Sequence, residues 1–238
     1  MGSPIMMIDR NVVDGAEIAA SVMPTLLDRR SFLAGSAAFM GAVGLAGCAS
    51  SGGGMSLAEA ERVYGPLPNE RFPVPAVNVS KINRKYLRRT VRYETAEAEG
   101  TIIVDPKNYY VYRIEGGGSA TRYGANVGRA GFLWSGNAYI GRKAEWPVWT
   151  PPKEMILRQP EAAPYANGMA PGLNNPLGAR TLYLYQNGAY TLYTIYSTIM
   201  PETIGKGVSS GCVGLLTQDM LDLYDKTPVN TKVVVLPA

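Results

Sequence analysis

Cys212 is the residue whose type and surroundings best suit chemistry. It lies in Val208-Ser-Ser-Gly-Cys-Val-Gly214, a run of small residues just ahead of a helical pattern. A lone thiol on such a loop suits a nucleophile. Small neighbours let a substrate backbone come close, and loop amides can stabilise an oxyanion. On these local residues alone a small buried cysteine is the commoner reading. The chain has 238 residues, 2 cysteines and no histidine. Without an imidazole it can build no Ser-His-Asp triad, no Cys-His pair and no histidine metal site of its own. Two cysteines also exclude a disulfide scaffold and a four-cysteine zinc site. No metal and no cofactor is therefore expected.

The second cysteine, Cys48, belongs to an address. Arg29 and Arg30 precede Ser31-Phe32-Leu33, and an Ala/Gly-rich apolar run follows to Gly47. That run is shorter than the ~20 residues of a membrane-spanning helix. A charged start, a short apolar middle and small residues at the end describe a secretory signal. Arg-Arg-Ser-Phe-Leu resembles a twin-arginine export signal. Leu45-Ala46-Gly47-Cys48 resembles a bacterial lipobox, which implies cleavage before Cys48 and lipidation of its thiol and new amine. The expected organisation is a signal segment over 1–47, a tether and extended lead-in over 48–90, and a folded domain over 91–238. The expected place is the periplasm, anchored to a membrane through Cys48. Ala49, where an Asp would retain an inner-membrane lipoprotein, favours the outer membrane by the same resemblance.

With 46% apolar and 18% charged residues the chain can fill a core. Lys+Arg 23 against Asp+Glu 19 gives a net charge of +4, too slight and too scattered for a nucleic-acid partner. The basic residues from Lys81 to Arg92 read as a solvated face.

The elements that must position Cys212 read as mostly β. Thr101–Asp105 and Tyr109–Ile114 flank a Pro106-Lys107-Asn108 turn and form one expected hairpin. Thr181–Gln186 and Tyr190–Tyr196 flank Asn187-Gly188, the strongest hairpin signal in the chain. Lys232–Leu236 reads as a last, buried strand. Short helices are expected over Ser56–Tyr64, with Ser56 and Glu59 at capping-box spacing, over Pro152–Arg158, and over Thr217–Asp225 with Thr217 as the cap.

Residues 171–236 resemble the C-terminal half of the L,D-transpeptidase catalytic domain of the YkuD type. Ser209-Ser210-Gly211-Cys212 resembles its Ser-x-Gly-Cys motif, and Pro171–Gly178 resembles the loop before its late hairpin. Asp219–Val235 resembles the helix, turn and final strand that follow. The likeness extends back to about Tyr93, and Trp146–Pro152, with Trp149, resembles a substrate-side segment. The resemblance implies a mainly β, mixed β-sandwich-like fold with short helices. It implies an enzyme that remodels the cell wall, in which a cysteine attacks the carbonyl of a diaminopimelate residue in a peptidoglycan stem. The terminal D-alanine leaves, and an amine of a second stem resolves the acyl-enzyme. Carried over by position, Cys212 is the nucleophile and the Ser209 carbonyl orients the base. Gly211, Ser210, Ser197 and Trp149 belong to the oxyanion or substrate side.

Two positions depart from the pattern. The family base is a histidine sixteen residues before the cysteine; here that position is Tyr196. The family has Arg or Asn two residues after the cysteine; here it is Gly214. A phenol with a reference pKa of ~10 is a poor base at neutral pH, and general acid–base help is worth ~10²–10⁴-fold in rate. Two functions follow: an L,D-transpeptidase-type acyltransferase with Tyr196 as an unusual proton carrier, or an inactive relative that binds peptidoglycan.

Overall fold

The computed structural model describes residues 55–129 and 134–238. The signal segment, Cys48 and the first residues of the tether lie outside the described residues. The elements in chain order are helix α1 (Leu57–Val63) and strands β1 (Arg89–Arg92), β2 (Ile102–Asp105), β3 (Tyr110–Gly116), β4 (Ser119–Gly128) and β5 (Gly136–Glu145). Then come helix α2 (Lys153–Arg158), strands β6 (Arg180–Gln186), β7 (Ala189–Ser197), β8 (Gly207–Ser209) and β9 (Val213–Leu215), helix α3 (Thr217–Asp225) and strand β10 (Lys232–Val235). The protein is mainly β, as its sequence leads one to expect.

Both expected hairpins form. Asn187 (φ 51°) and Gly188 (φ 79°) take the left-handed conformations of a tight primed turn between β6 and β7. Ser56 caps α1 by accepting the Glu59 N–H at 3.2 Å. Thr217 does not cap α3. It is the first helical residue, and Leu216, which leaves β9 in an extended conformation, takes the cap position without a side-chain bond.

The strands run β4-β3-β2-β10-β5-β6-β7-β9, and β9 pairs back onto β4. The sheet thus closes on itself, so the two layers of the sandwich are parts of one continuous sheet. Closure leaves these strands without an exposed edge. The outer edge of β4 is shared along its length: Arg122 to Ser119 pair with β1, Ala125 and Asn126 with β9, and its last residues with β8. Ile102, Val104, Val111, Tyr123, Ile140, Leu182, Ile195, Leu215 and Val233 fill the interior, and Met220 and Leu223 of α3 pack onto it. Each such side chain contributes about 1.5–3 kcal/mol when fully buried.

The lead-in is docked on this body by buried polar contacts. Glu70 accepts both terminal nitrogens of Arg180 (3.0 and 2.9 Å) and the Trp146 indole N–H at 2.9 Å. Gln218 donates to the carbonyls of Tyr64 and Gly65. Arg88 is not on a solvated face. Its Nη1 lies 2.9 Å from Asp222 and its Nε 3.7 Å from the fully buried Asp219. A carboxylate of this kind cannot be left unpaired in the interior, and that need draws the arginine inward. The Tyr64 hydroxyl donates to Asp219 at 3.0 Å and accepts the Arg88 N–H at 2.7 Å.

Burial pushes the Asp219 carboxyl up to about 7, and the Arg88 charge only partly offsets this. The folded state therefore holds a proton between the ordinary carboxylate range and pH 7 that the unfolded chain has released, so stability falls as pH rises through that window. Asp222, held below its ordinary value, acts only at lower pH. Thermal melts of the wild type from pH 4.5 to 7.5 are expected to show a falling midpoint, and Asp219→Asn should flatten the trend. A wild-type midpoint constant across that range would contradict the assignment.

Candidate active site

Cys212 lies in the link between β8 and β9. The link is held shut by its own side chains. The Ser209 hydroxyl donates to the Cys212 carbonyl at 2.5 Å and accepts the Gly211 N–H at 3.2 Å. Gly211 turns at φ +121°, a conformation that suits glycine. The Gly211 amide is thus engaged within the loop and does not face an oxyanion. The Ser209 carbonyl accepts the Arg129 N–H at 3.1 Å, where β8 joins β4, so it is not turned toward Tyr196 as the resemblance implies. Ser210 is half-buried between them.

The sulfur rests against β7, and a bulge there shapes its surroundings. Tyr185 pairs with Tyr190 but Tyr183 pairs with Thr194, so Thr191–Tyr193 stand opposite the single residue Leu184. Leu192 takes φ 69°, a left-handed conformation that costs a non-glycine residue on the order of 1 kcal/mol. The Thr191 hydroxyl holds the bulge by donating to the Leu184 carbonyl at 2.7 Å. The thiol of the half-buried Cys212 points to the Leu192 carbonyl at 3.7 Å. The Thr194 amide and hydroxyl both favour the thiolate, and that buried hydroxyl makes no hydrogen bond of its own among the described residues. Bulges re-aim groups beside active sites, and this one turns the Leu192 carbonyl to the thiol just ahead of Thr194, whose polar groups favour the thiolate.

Burial pushes the Cys212 thiol above the usual cysteine range, and the two Thr194 groups pull it partly back. Neither is charged. Tyr190, Tyr193 and Tyr196 all feel the sulfur and are themselves pushed up, chiefly by burial. Cys212 is thus a protonated thiol among neutral phenols at neutral pH. Trp134 stacks on Tyr193 with ring centroids 5.5 Å apart.

The two departures from the expected motif are neighbours in space. Tyr196 of β7 is the register partner of Gly214 of β9, and Gly214 is the partner of Asn126 of β4. Asn126 is 1% exposed. Its Oδ1 accepts the Gly214 N–H at 3.0 Å, and its Nδ2 donates to Thr203 at 2.7 Å and Thr198 at 3.3 Å. The side chains of Asn126 and Thr198 also bear on the Tyr196 phenol, partly offsetting the effect of burial on its acidity.

The structure thus brings Cys212, Tyr196, Ser209, Ser210 and Gly211 into one region. Ser197 does not join them. Strand alternation turns it to the opposite face, where it is fully buried and bonds the Arg180 backbone N–H at 3.1 Å. Trp149 is placed on the excursion between β5 and β6, bonded to Met169 and beside Tyr165. Trp134, by contrast, is stacked on Tyr193, one of the phenols that feel the sulfur. That excursion is knotted by the buried Asn175, which bonds the backbone of Pro147, Met169, Ala170 and Leu177. Sequence reasoning missed Asn126, Thr194, Leu192 and Trp134. The bulge adds two residues and leaves the period-two alternation intact, so it gives no signal in the chain.

A cavity of about 550 Å³ adjoins this region, walled in part by Val77, Ile82, Trp146, Ile199 and Leu216. Thr198, which accepts from Asn126, lines it, whereas Cys212 and Tyr196 do not.

The sequence model of the L,D-transpeptidase catalytic domain, YkuD, matches residues 99–235. A putative L,D-transpeptidase from Fuscovulum blasticum is 36% identical over 42% of this chain and 49% of its own length. The probable L,D-transpeptidase YbiS of Escherichia coli K12 is 36% identical over 40% of this chain and 29% of its own. The chain thus spans half or less of these curated relatives. A crystal structure from Brucella melitensis, described as a probable carnitine operon oxidoreductase, is 42% identical over 67% of this chain and 99% of that one, with a TM-score of 0.46.

The thiol geometry gives a direct expectation. Alkylation of Cys212 by iodoacetamide, read on its peptide by mass spectrometry, should be slow at pH 7 and rise to a midpoint above that of a free cysteine. Thr194→Val should slow it several-fold further at pH 8, because the hydroxyl no longer stabilises the thiolate. A midpoint at or below the free-cysteine value would refute this account.

Proposed function

Because the chain belongs to the L,D-transpeptidase catalytic domain family, we propose that it is an exported acyltransferase acting on peptidoglycan peptide stems, with Cys212 as nucleophile. The observation that carries this reading is the half-buried Cys212 on its glycine loop, its thiol pointing to a carbonyl of the β7 bulge with the Thr194 amide and hydroxyl favouring the thiolate. In the reaction the sulfur bonds to the stem carbonyl and the bond to the terminal D-alanine breaks, its amine taking up the thiol proton. An amine of a second stem then attacks the thioester, forms the new amide and returns a proton to sulfur. No imidazole assists either step. The thiolate fraction is small at neutral pH, so acylation is slow there and quickens as pH rises. Tyr196 is neutral and serves as a hydrogen-bonding group rather than a base. We place the protein in the periplasm, exported by the twin-arginine-like signal and held to a membrane, by preference the outer one, through lipid on Cys48.

A second reading is favoured by the cavity beside Thr198. It is built in part from the lead-in, outside the matched family segment, and does not include the thiol. A module that binds stems without turning them over would keep such a groove and need no base.

Incubation with tetrapeptide stems from pH 6 to 10, followed by intact mass, separates the two. The acyltransferase reading expects a Cys212 adduct that grows with pH, is absent in Cys212→Ala, and forms faster by ~10²-fold or more in Tyr196→His. Sacculus binding that survives Cys212→Ala, with no adduct at any pH in either protein, establishes the binding module instead.

A further inference from the structure

Gly214 has no left-handed backbone conformation to explain it; the requirement there is space. A Cβ built on Gly214 would stand 2.5 Å from Asn126 Oδ1 and 2.8 Å from Nδ2. Real Cβ atoms do not come so close, and the amide cannot move aside. It is buried and fixed by the Gly214 N–H, Thr198 and Thr203. Thr203 is itself anchored, donating to the Met200 carbonyl at 2.5 Å.

We propose that Asn126 is a positioning residue of this site. Reaching across from β4, its amide fills the room that a side chain two residues after the cysteine would need, faces the side chain at 196 across Gly214, and makes glycine obligatory at 214. The replacements at 196 and 214 are then one change seen at two places, with a third partner on a strand far away in sequence. Asn126 reaches the chemistry only through residue 196. Its effect on rate rests on Cys212 being the reacting thiol, but the placement does not.

The chain has no histidine, so Tyr196→His installs a single imidazole that nuclear magnetic resonance can follow without overlap. The experiment uses the full chain without a histidine tag, in four proteins: Tyr196→His, Tyr196→His/Asn126→Ala, Gly214→Ala and Asn126→Ala/Gly214→Ala. The imidazole titration midpoint is expected to move by half a pH unit or more when Asn126 is lost, and the Cys212 alkylation midpoint to move with it. Gly214→Ala should lower the melting midpoint by roughly 5 °C, and adding Asn126→Ala should recover much of that loss. An imidazole midpoint indifferent to Asn126, or a cost at 214 that is the same with and without the amide, overturns the proposal. If Gly214→Ala fails to fold, the histidine pair alone decides. An Asn126-dependent imidazole in a protein that still forms no stem adduct would leave this inference standing while removing the acyltransferase reading.

Discussion

The short pairing of β4 with β9 is the constraint on which the rest depends. Ala125 opposite Leu215 and Asn126 opposite Gly214 close the sheet into a ring. The same register puts the three side-chain positions Asn126, Gly214 and Tyr196 in one row across three strands. On the inner face the pairing brings Ala125 and Leu215 into the core; on the outer face it builds the floor beside Cys212. Fold and site are therefore not separable here. A slip of one residue would turn Asn126 into the core and leave its amide without partners.

Electrostatics around the sulfur run opposite to those of an activated cysteine. A reactive thiol is ordinarily held ionised by a cation or an imidazole. Here burial is the largest influence on the thiol, and the uncharged Thr194 amide and hydroxyl do not overcome it. What the site offers is geometry: a cysteine on a glycine loop, facing a carbonyl of the β7 bulge. What is missing is the proton acceptor. This division lets a chain carry the family's architecture around a thiol that burial keeps protonated at neutral pH.

The lead-in is part of the same machinery of placement. Glu70 with Arg180 and Trp146, and Tyr64 with Asp219 and Arg88, fasten a segment that precedes the matched family region onto β6 and α3. Arg180 adjoins the Gly178 turn, where a Cβ would meet the Ser197 carbonyl at 2.3 Å. The segment thus bears on β7 from outside the family domain and contributes walls to the cavity that adjoins Thr198.

Local chemistry alone determined much of this protein. Asn187-Gly188 dictates a hairpin because both residues accept positive φ, the β-branched and aromatic runs dictate strands, and the Ser-Ser-Gly-Cys loop marks the thiol. With no histidine among its 238 residues, the sequence supplies no imidazole to it. Only the tertiary structure decided what the sulfur faces. Ring closure and the bulge at Thr191–Tyr193 depend on pairings between distant segments, and a two-residue bulge does not disturb alternation. Hence Thr194, Leu192 and Asn126 carry no mark in the chain, Ser197 turns away from the site it was expected to join, and Arg88 is drawn from the surface by a carboxylate 131 positions away. Side-chain type is written locally, whereas burial and proximity, which set a thiol's acidity, are properties of the packed whole.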